Sequence, residues 1–329
     1  VYSAAENRYE CGMQYRRAGR SGVMLPVISL GLWHNFGDVD TLSLSRKKLH
    51  YAFDHGITHF DLANNYGPSY GSAEETFGQI MKSSFAPYRD ELFISTKAGH
   101  DMWPGPYGNW GSRKHLMASL DQSLKRMNLD YVDVFYSHRY DPETPLEETL
   151  QALVDIVRKG KALYVGLSKY PLDAYLFACR YLKERDVPCL LYQGRYSMLV
   201  REPESQGILN AVKENGSGFV AFSPLAQGLL TNRYLNGIPD DSRIARGGFL
   251  KKEALTPEVL GKIQALNERA AMRGQSLAEM ALAWLLKNET VTSVIVGASS
   301  VEQLGDSLKT LNHLSFEEEE LHAIEKILM

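Results

Sequence analysis

The sequence predicts an α/β protein whose strands and helices alternate eight times and close into a barrel. Three observations predict it. Eight short apolar stretches alternate with stretches of helical periodicity, which argues for parallel strands with helices packed outside them. Ionisable and polar residues close several different strands, as they do where a site is built on one rim of a barrel. The GxGxxG word of an open dinucleotide-binding sheet is missing after the first strand. Counting units does not separate a closed barrel from an open doubly wound sheet; the second and third observations favour closure. The expected architecture is a (β/α)8 TIM barrel with an N-terminal hairpin and a long loop after strand seven, in a single domain over residues 1–329.

The elements read in order as follows. Tyr15 to Arg17 and Val23 to Leu25 flank a Gly19 to Gly22 turn and predict a hairpin. Val27 to Leu32 is the first buried strand. Leu44, Leu49, Ala52 and Phe53 give helical spacing up to His55, and Gly56 is placed to end that helix. Ile57 to Asp61 is the second strand. Ser72 to Glu75 fits a capping box opening a helix to Met81. Glu91 to Thr96 is the third strand, followed by a Gly-, Pro- and aromatic-rich loop from Gly99 to Ser112. Ser112 caps a helix through Leu116, Leu120, Leu124 and Met127. Tyr131 to Tyr136 is the fourth strand, and Pro145 begins a helix to Lys159. Ala162 to Ser168 is the fifth strand, with a helix near Asp173 to Glu184. Pro188 to Gln193 is the sixth, with a helix near Gln206 to Asn215. Gly218 to Phe222 is the seventh. Leu225 to Leu255 then breaks the rhythm, and a loop of that length in a compact domain has a function or moves. Helices near Pro257 to Arg273 and Ser276 to Lys287 precede the eighth strand, Thr292 to Val296. Val301 to Leu311 is its helix, and Phe316 to Leu328 is an acidic terminal helix.

Composition bounds the function. The chain has 329 residues, 44% hydrophobic and 23% charged, with a formal net charge of −3. Nothing in that balance favours nucleic acid or an anionic membrane surface. No apolar run reaches the ~18 residues of a membrane helix. Val1 to Cys11 is polar and lacks a signal-peptide core; the absent initial Met leaves a trimmed leader open. Cys11, Cys179 and Cys189 form no metal-binding or disulfide pattern, so a reducing cytoplasm is expected. No metal-spaced His, Asp or Glu set appears at the strand ends, which argues against a metal-assisted hydrolase.

Four chemistry-bearing residues close separate strands. Asp61 ends the second, Tyr66 sits on the loop after it, Lys97 follows the third, and His138 follows the fourth. A carboxylate and a phenol on one rim need a cation between them, and Lys97 supplies it. In this order the four resemble the catalytic tetrad of the aldo-keto reductases. Gly31-Leu-Trp33, Gly166-Leu-Ser168, Ser223-Pro-Leu225 and Val296-Gly-Ala-Ser299 agree with it. The likeness covers roughly residues 14 to 325. It is greatest to bacterial L-glyceraldehyde 3-phosphate reductases and potassium-channel β subunits.

The resemblance implies NADPH-dependent reduction of small aldehydes such as L-glyceraldehyde 3-phosphate and methylglyoxal. Tyr66 would be the general acid, eased by a nearby ammonium from a free phenol value near ~10. Asp61 would hold Lys97 charged, and His138 would orient the substrate oxygen. Ser168 and Gln193 match the pair on the nicotinamide carboxamide, and Phe222 the aromatic that stacks on the ring. Ser223, Leu225 and Gln227 match residues around the pyrophosphate. Arg233 and Arg243 match cations over a 2′-phosphate, so NADP(H) is the expected cofactor. Ser299 and Gln303 match adenosine-phosphate contacts, with Asp306 where the family usually has Glu. Trp33 belongs to both the cofactor and the substrate side; Trp103 and Trp110 are the other expected pocket walls. Arg139 has two readings, a grip on an acidic or phosphorylated substrate and a structural ion pair. The family likeness implies a homo-oligomer, tetramer or larger. A competing reading is an NADPH-binding regulatory subunit like the channel β subunits.

Overall fold

The computed structural model describes residues 1–242, 244–247, 250 and 252–329. A hairpin comes first, β1 (Tyr15–Arg17) against β2 (Met24–Pro26), antiparallel. Eight strands follow: β3 (Ile28–Gly31), β4 (His59–Asp61), β5 (Phe93–Ala98), β6 (Val132–Ser137), β7 (Ala162–Ser168), β8 (Cys189–Arg195), β9 (Gly218–Phe222) and β10 (Val291–Val296). Each pairs in parallel with its neighbours, and β10 pairs with both β9 and β3, so the sheet closes. The barrel expected from the alternation is therefore present. Its first strand is two residues shorter than the apolar run.

The helices pack outside: α1 (Leu42–Asp54), α2 (Ser72–Ile80), α3 (Arg113–Met127), α4 (Leu146–Arg158), α5 (Leu172–Glu184), α6 (Glu202–Ser205), α7 (Ile208–Glu214), α8 (Pro257–Met272), α9 (Leu277–Leu286), α10 (Val301–Leu308) and α11 (Glu318–Leu328). Their caps follow residue chemistry. Thr41, Ser112, Thr256, Ser276 and Ser300 each accept a backbone N–H of their helix's first turn. The capping box expected at Ser72 is absent. Gly71, left-handed at φ 86°, is the N-cap, and the Ser72 hydroxyl donates to Ser69 O instead. Glu74 is fully buried and accepts from Thr96, Ser123 and Arg126, tying α2 to β5 and α3. The box forms at the other end of the chain, where Glu317 and Glu320 cap α11 reciprocally. The short α6 and a π-helical turn, Met81–Phe85, were not expected.

Alternation along the strands sorts the interior from the helix layer. Ala18, Leu25, Val134, Tyr136, Leu190, Leu191, Val220 and Ile295 form one buried cluster inside the barrel. Ala18 and Leu25 come from the hairpin, which thereby plugs the floor. Gly166 makes room inside: a Cβ there would lie 2.5 Å from the Tyr136 ring. That ring fills the space beneath Lys97, whose Nζ is 5.5 Å from its centroid.

Candidate active site

Strand register assembles the site. Asp61 pairs with Ser95, Lys97 with Tyr136, and Ser168 with Gln193. Residues two apart face the same way, so His59 joins Asp61 and Ser95 joins Lys97 inside the barrel. Lys97 Nζ donates to Asp61 Oδ2 at 2.7 Å and to Leu62 O at 2.7 Å. Asp61 Oδ1 accepts from Ser95 Oγ at 2.6 Å and from Gln193 Nε2 at 3.2 Å. Both charges are buried, and each is hydrogen-bonded beyond the pair itself, Lys97 to Leu62 O and Asp61 to Ser95 and Gln193. Lys97 Nζ sits 4.9 Å from the centre of the Tyr66 ring. Tyr66 and His138 meet edge to face at 6.1 Å. The four residues, spread over three strand ends and a loop in sequence, therefore form one cluster.

Their proton affinities depart from the simple expectation. Burial pushes the Tyr66 phenol well above its ordinary value, and the Asp61 charge adds to that. Tyr136 adds to it as well, so the phenol does not move toward the phenolate form. Tyr66 is thus a protonated donor at neutral pH. Burial lowers Lys97, and Asp61 opposes that shift. Burial holds His138 well below the ordinary histidine range, with Lys97, Lys169, His100 and Arg139 adding repulsion. Its imidazole is neutral.

One cavity of about 740 Å³ covers this cluster. Its walls include Trp33, Asp61, Tyr66, His138, Arg139, Ser168, Gln193, Phe222, Ser223, Leu225, Gln227 and Gln303 from the expected set. Lys97, fully buried behind Asp61, is not a wall residue, and neither are Ser299, Arg233 and Asp306. Ser299 N–H and Oγ both donate to Gln303 Oε1, Arg233 pairs with Asp241 at 3.0 Å, and Asp306 pairs with Lys309 at 3.0 Å. Arg243 lies outside the described residues. Trp103 and Trp110 are not brought to the cavity wall. Trp103 packs on His115 with ring centroids 4.9 Å apart, and Trp110 stacks under the Arg139 guanidinium at 3.6 Å. Arg139 makes no ion pair among the described residues; it donates to Gly99 O at 2.9 Å and Asn109 Oδ1 at 2.7 Å.

A nicotinamide fits this cavity on one observation. Ser168 Oγ is buried, lines the cavity and has no hydrogen-bond partner among the described residues. A buried hydroxyl without a partner is costly, and a carboxamide would satisfy it. Gln193 lies across from it in register and Phe222 offers a ring face on the same wall.

A polar line beneath Asp61 was not expected from the sequence. Ser293 Oγ donates to Pro26 O at 2.6 Å, Ser29 Oγ lies 2.6 Å from Ser293 Oγ, and His59 Nδ1 lies 2.9 Å from Ser29 Oγ. His59 Nε2 then meets Ser95 Oγ at 3.1 Å, and Ser95 donates to Asp61 at 2.6 Å. Burial lowers His59 to about 4, so its ring is neutral. Three hydroxyls and one neutral ring bring four protons to these five links. The assignment that leaves the longest link without a proton puts the ring hydrogen on Nδ1. Counting back two residues from Asp61 and Lys97 finds His59 and Ser95, a period-two signal that was available in the sequence.

His59 makes a stability prediction. Its folded value, about 4, is below the ordinary 6.5, so the unfolded chain takes up its proton first as pH falls. Stability is unaffected at pH 7 and falls between pH 6.5 and 4, by up to about 3 kcal/mol from this residue. His59→Gln should flatten that acid limb. Unfolding free energies at pH 7 and 4.5 check it; an unchanged difference in the variant excludes His59 as its source.

Residues 27–329 match the model of the aldo/keto reductase family. The chain is 56% identical over 331 residues to the L-glyceraldehyde 3-phosphate reductase of Escherichia coli strain K12, covering 99% of this chain and 95% of that protein. It is 36% identical over 306 residues to the probable voltage-gated potassium channel subunit beta of Arabidopsis thaliana, covering 91% and 92%. Among solved structures, the thermostable aldo-keto reductase Tm1743 in complex with the inhibitor epalrestat is similar, with a TM-score of 0.75 at 30% identity over 96% of this chain and 100% of that one.

Proposed function

We propose, from the premise that the chain belongs to the aldo/keto reductase family, that it is an oxidoreductase reducing small aldehydes with NADPH. L-Glyceraldehyde 3-phosphate and methylglyoxal are the substrates we assign to it, the first on the name of the 56% identical relative. The observation that carries the reading is the buried Asp61–Lys97 pair beside Tyr66 and His138 on the wall of the large cavity.

The nicotinamide, when bound, supplies a hydride to the carbonyl carbon, which no side chain can do. Tyr66 gives its proton to the carbonyl oxygen as negative charge develops there. Lys97, 4.9 Å from the phenol ring, stabilises the phenolate left behind. Asp61 fixes Lys97, and Ser95 and Gln193 fix Asp61. His138, neutral and in the cavity wall, offers an N–H to the same oxygen without adding a charge that would hold the anionic product. Ser168, Gln193 and Phe222 orient the ring; Ser223, Leu225, Gln227 and Gln303 lie along the rest of the cavity.

NADPH rather than NADH rests on the arginines of the loop after β9. Arg233 is paired with Asp241 on the surface, and such a pair is worth only ~0–1 kcal/mol, so a 2′-phosphate can displace it. The described cysteines are unpaired, which supports the reducing cytoplasm as compartment. Among the described residues no helix is long and apolar enough to cross a membrane. We assign a homo-oligomer, tetramer or larger, on family likeness alone.

The test follows NADPH absorbance with methylglyoxal, DL-glyceraldehyde 3-phosphate and an aromatic aldehyde. Turnover of the small aldehydes is expected. NADPH binding with no turnover across the panel would instead favour a regulatory subunit; the 36% identical plant relative is named a probable voltage-gated potassium channel subunit beta.

A further inference from the structure

We propose that Lys169, His100 and Arg139 form an anion subsite beside His138 that holds the phosphate monoester of a short phosphorylated aldehyde; this rests on the reductase reading above. All three residues line the cavity. Lys169 follows Ser168 at the end of β7, but its side chain turns back across β6. Its Nζ lies 3.3 Å from His100 Nε2, in the loop after β5. The His100 ring in turn packs edge to face on His138 at 4.4 Å. One imidazole therefore separates the ammonium from the residue that meets the substrate oxygen. Lys169 has a left-handed backbone, φ 58°, which Asn adopts more readily than Lys, so the backbone gives no reason for a lysine there.

Charge in this corner is unbalanced. Lys169, Arg139 and Arg195 line the cavity, and none of them makes an ion pair among the described residues. The acids that line it are Asp61, already bonded to Lys97, Ser95 and Gln193, and Asp101, exposed at the rim. Burial and the like charges of Lys97 and Arg139 lower Lys169 to about 8, a repulsion that a bound anion relieves. Burial, then the charges of Lys169, Arg139 and Lys97, keep His100 neutral, at about 4, so its Nε2 accepts from Lys169. Arg139 is held rigid by Trp110, Gly99 and Asn109, and its Nη1 makes no hydrogen bond to the described residues. A rigid guanidinium beside an ammonium suits a phosphate.

The test compares DL-glyceraldehyde 3-phosphate with DL-glyceraldehyde, which differ only in the phosphate, in the full chain with saturating NADPH. The parent should prefer the phosphorylated substrate at least tenfold in kcat/KM. Lys169→Met should remove most of that preference through KM, and Lys169→Arg should keep it. A parent without preference, or equal losses for both aldehydes in Lys169→Met, overturns the subsite. Weaker NADPH binding in Lys169→Met also overturns it, by assigning the lysine to the cofactor. Calorimetry with glycerol 3-phosphate, which is not reduced by this chemistry, separates the two readings. Binding that disappears in Lys169→Met supports the subsite even if no aldehyde turns over. Absent binding in an active parent rejects the subsite and leaves the reductase standing.

Discussion

Tyr66→Phe is expected to lose at least ~10²-fold in kcat and to bind NADPH as the parent does. The substitution deletes one hydroxyl and keeps the ring, so the edge-to-face contact with His138 and the ring near Lys97 both remain. What is lost is the proton donor. The phenol is held protonated by burial and by Asp61, so its acidity becomes useful only when charge develops on the substrate oxygen. That is transition-state stabilisation, and its loss falls on kcat. Rapid-mixing measurement of NADPH oxidation, beside fluorescence titration of NADPH, separates chemistry from binding. Turnover within a few-fold of the parent would mean that another group, or water, protonates the product.

Lys97→Met carries the second large effect. It leaves the Asp61 carboxylate buried with no counter-charge, and breaking a buried pair in this way costs about 3–5 kcal/mol. Activity should disappear with it, since the ammonium 4.9 Å from the Tyr66 ring is gone. Adding Asp61→Asn should recover most of the stability, because an asparagine there still accepts from Ser95 and no charge stays buried. Activity should not return. Denaturant unfolding of the two singles and the double gives the coupling. A double variant as unstable as the sum of the singles would show that the pair's charge is not what holds this region.

The eight-unit rhythm, the hairpin, the Ser112 cap and all four members of the Asp61 cluster were legible in the chain. Each depends on local chemistry: apolar runs of strand length, Ser or Thr before helical spacing, a polar residue at a strand end. The failures came where distant residues overrode such local signals. Ser72 to Glu75 has the letters of a capping box, but Glu74 is taken into the interior by Thr96, Ser123 and Arg126, and Gly71 caps instead. Trp103 and Trp110 sit in a loop of the expected composition, yet His115 and Arg139 take their faces. Composition states that an aromatic belongs near a rim, and only packing states which side it presents.

By itself the sequence determined the fold class and named the four groups that the structure gathers into one cluster. Side chains alternate along strands and helices repeat every ~3.6 residues, so burial leaves a readable period. The tertiary structure decided what depends on register across the barrel. Asp61 meets Ser95 and Gln193, residues 34 and 132 positions away, only because eight strands close with one stagger. The same closure buries the Asp61–Lys97 pair, keeps Tyr66 protonated and strings His59 between serines of three other strands. Lys169 turns toward His100 for the same reason: its neighbours are set by the curvature of the sheet, which no local window of the chain contains.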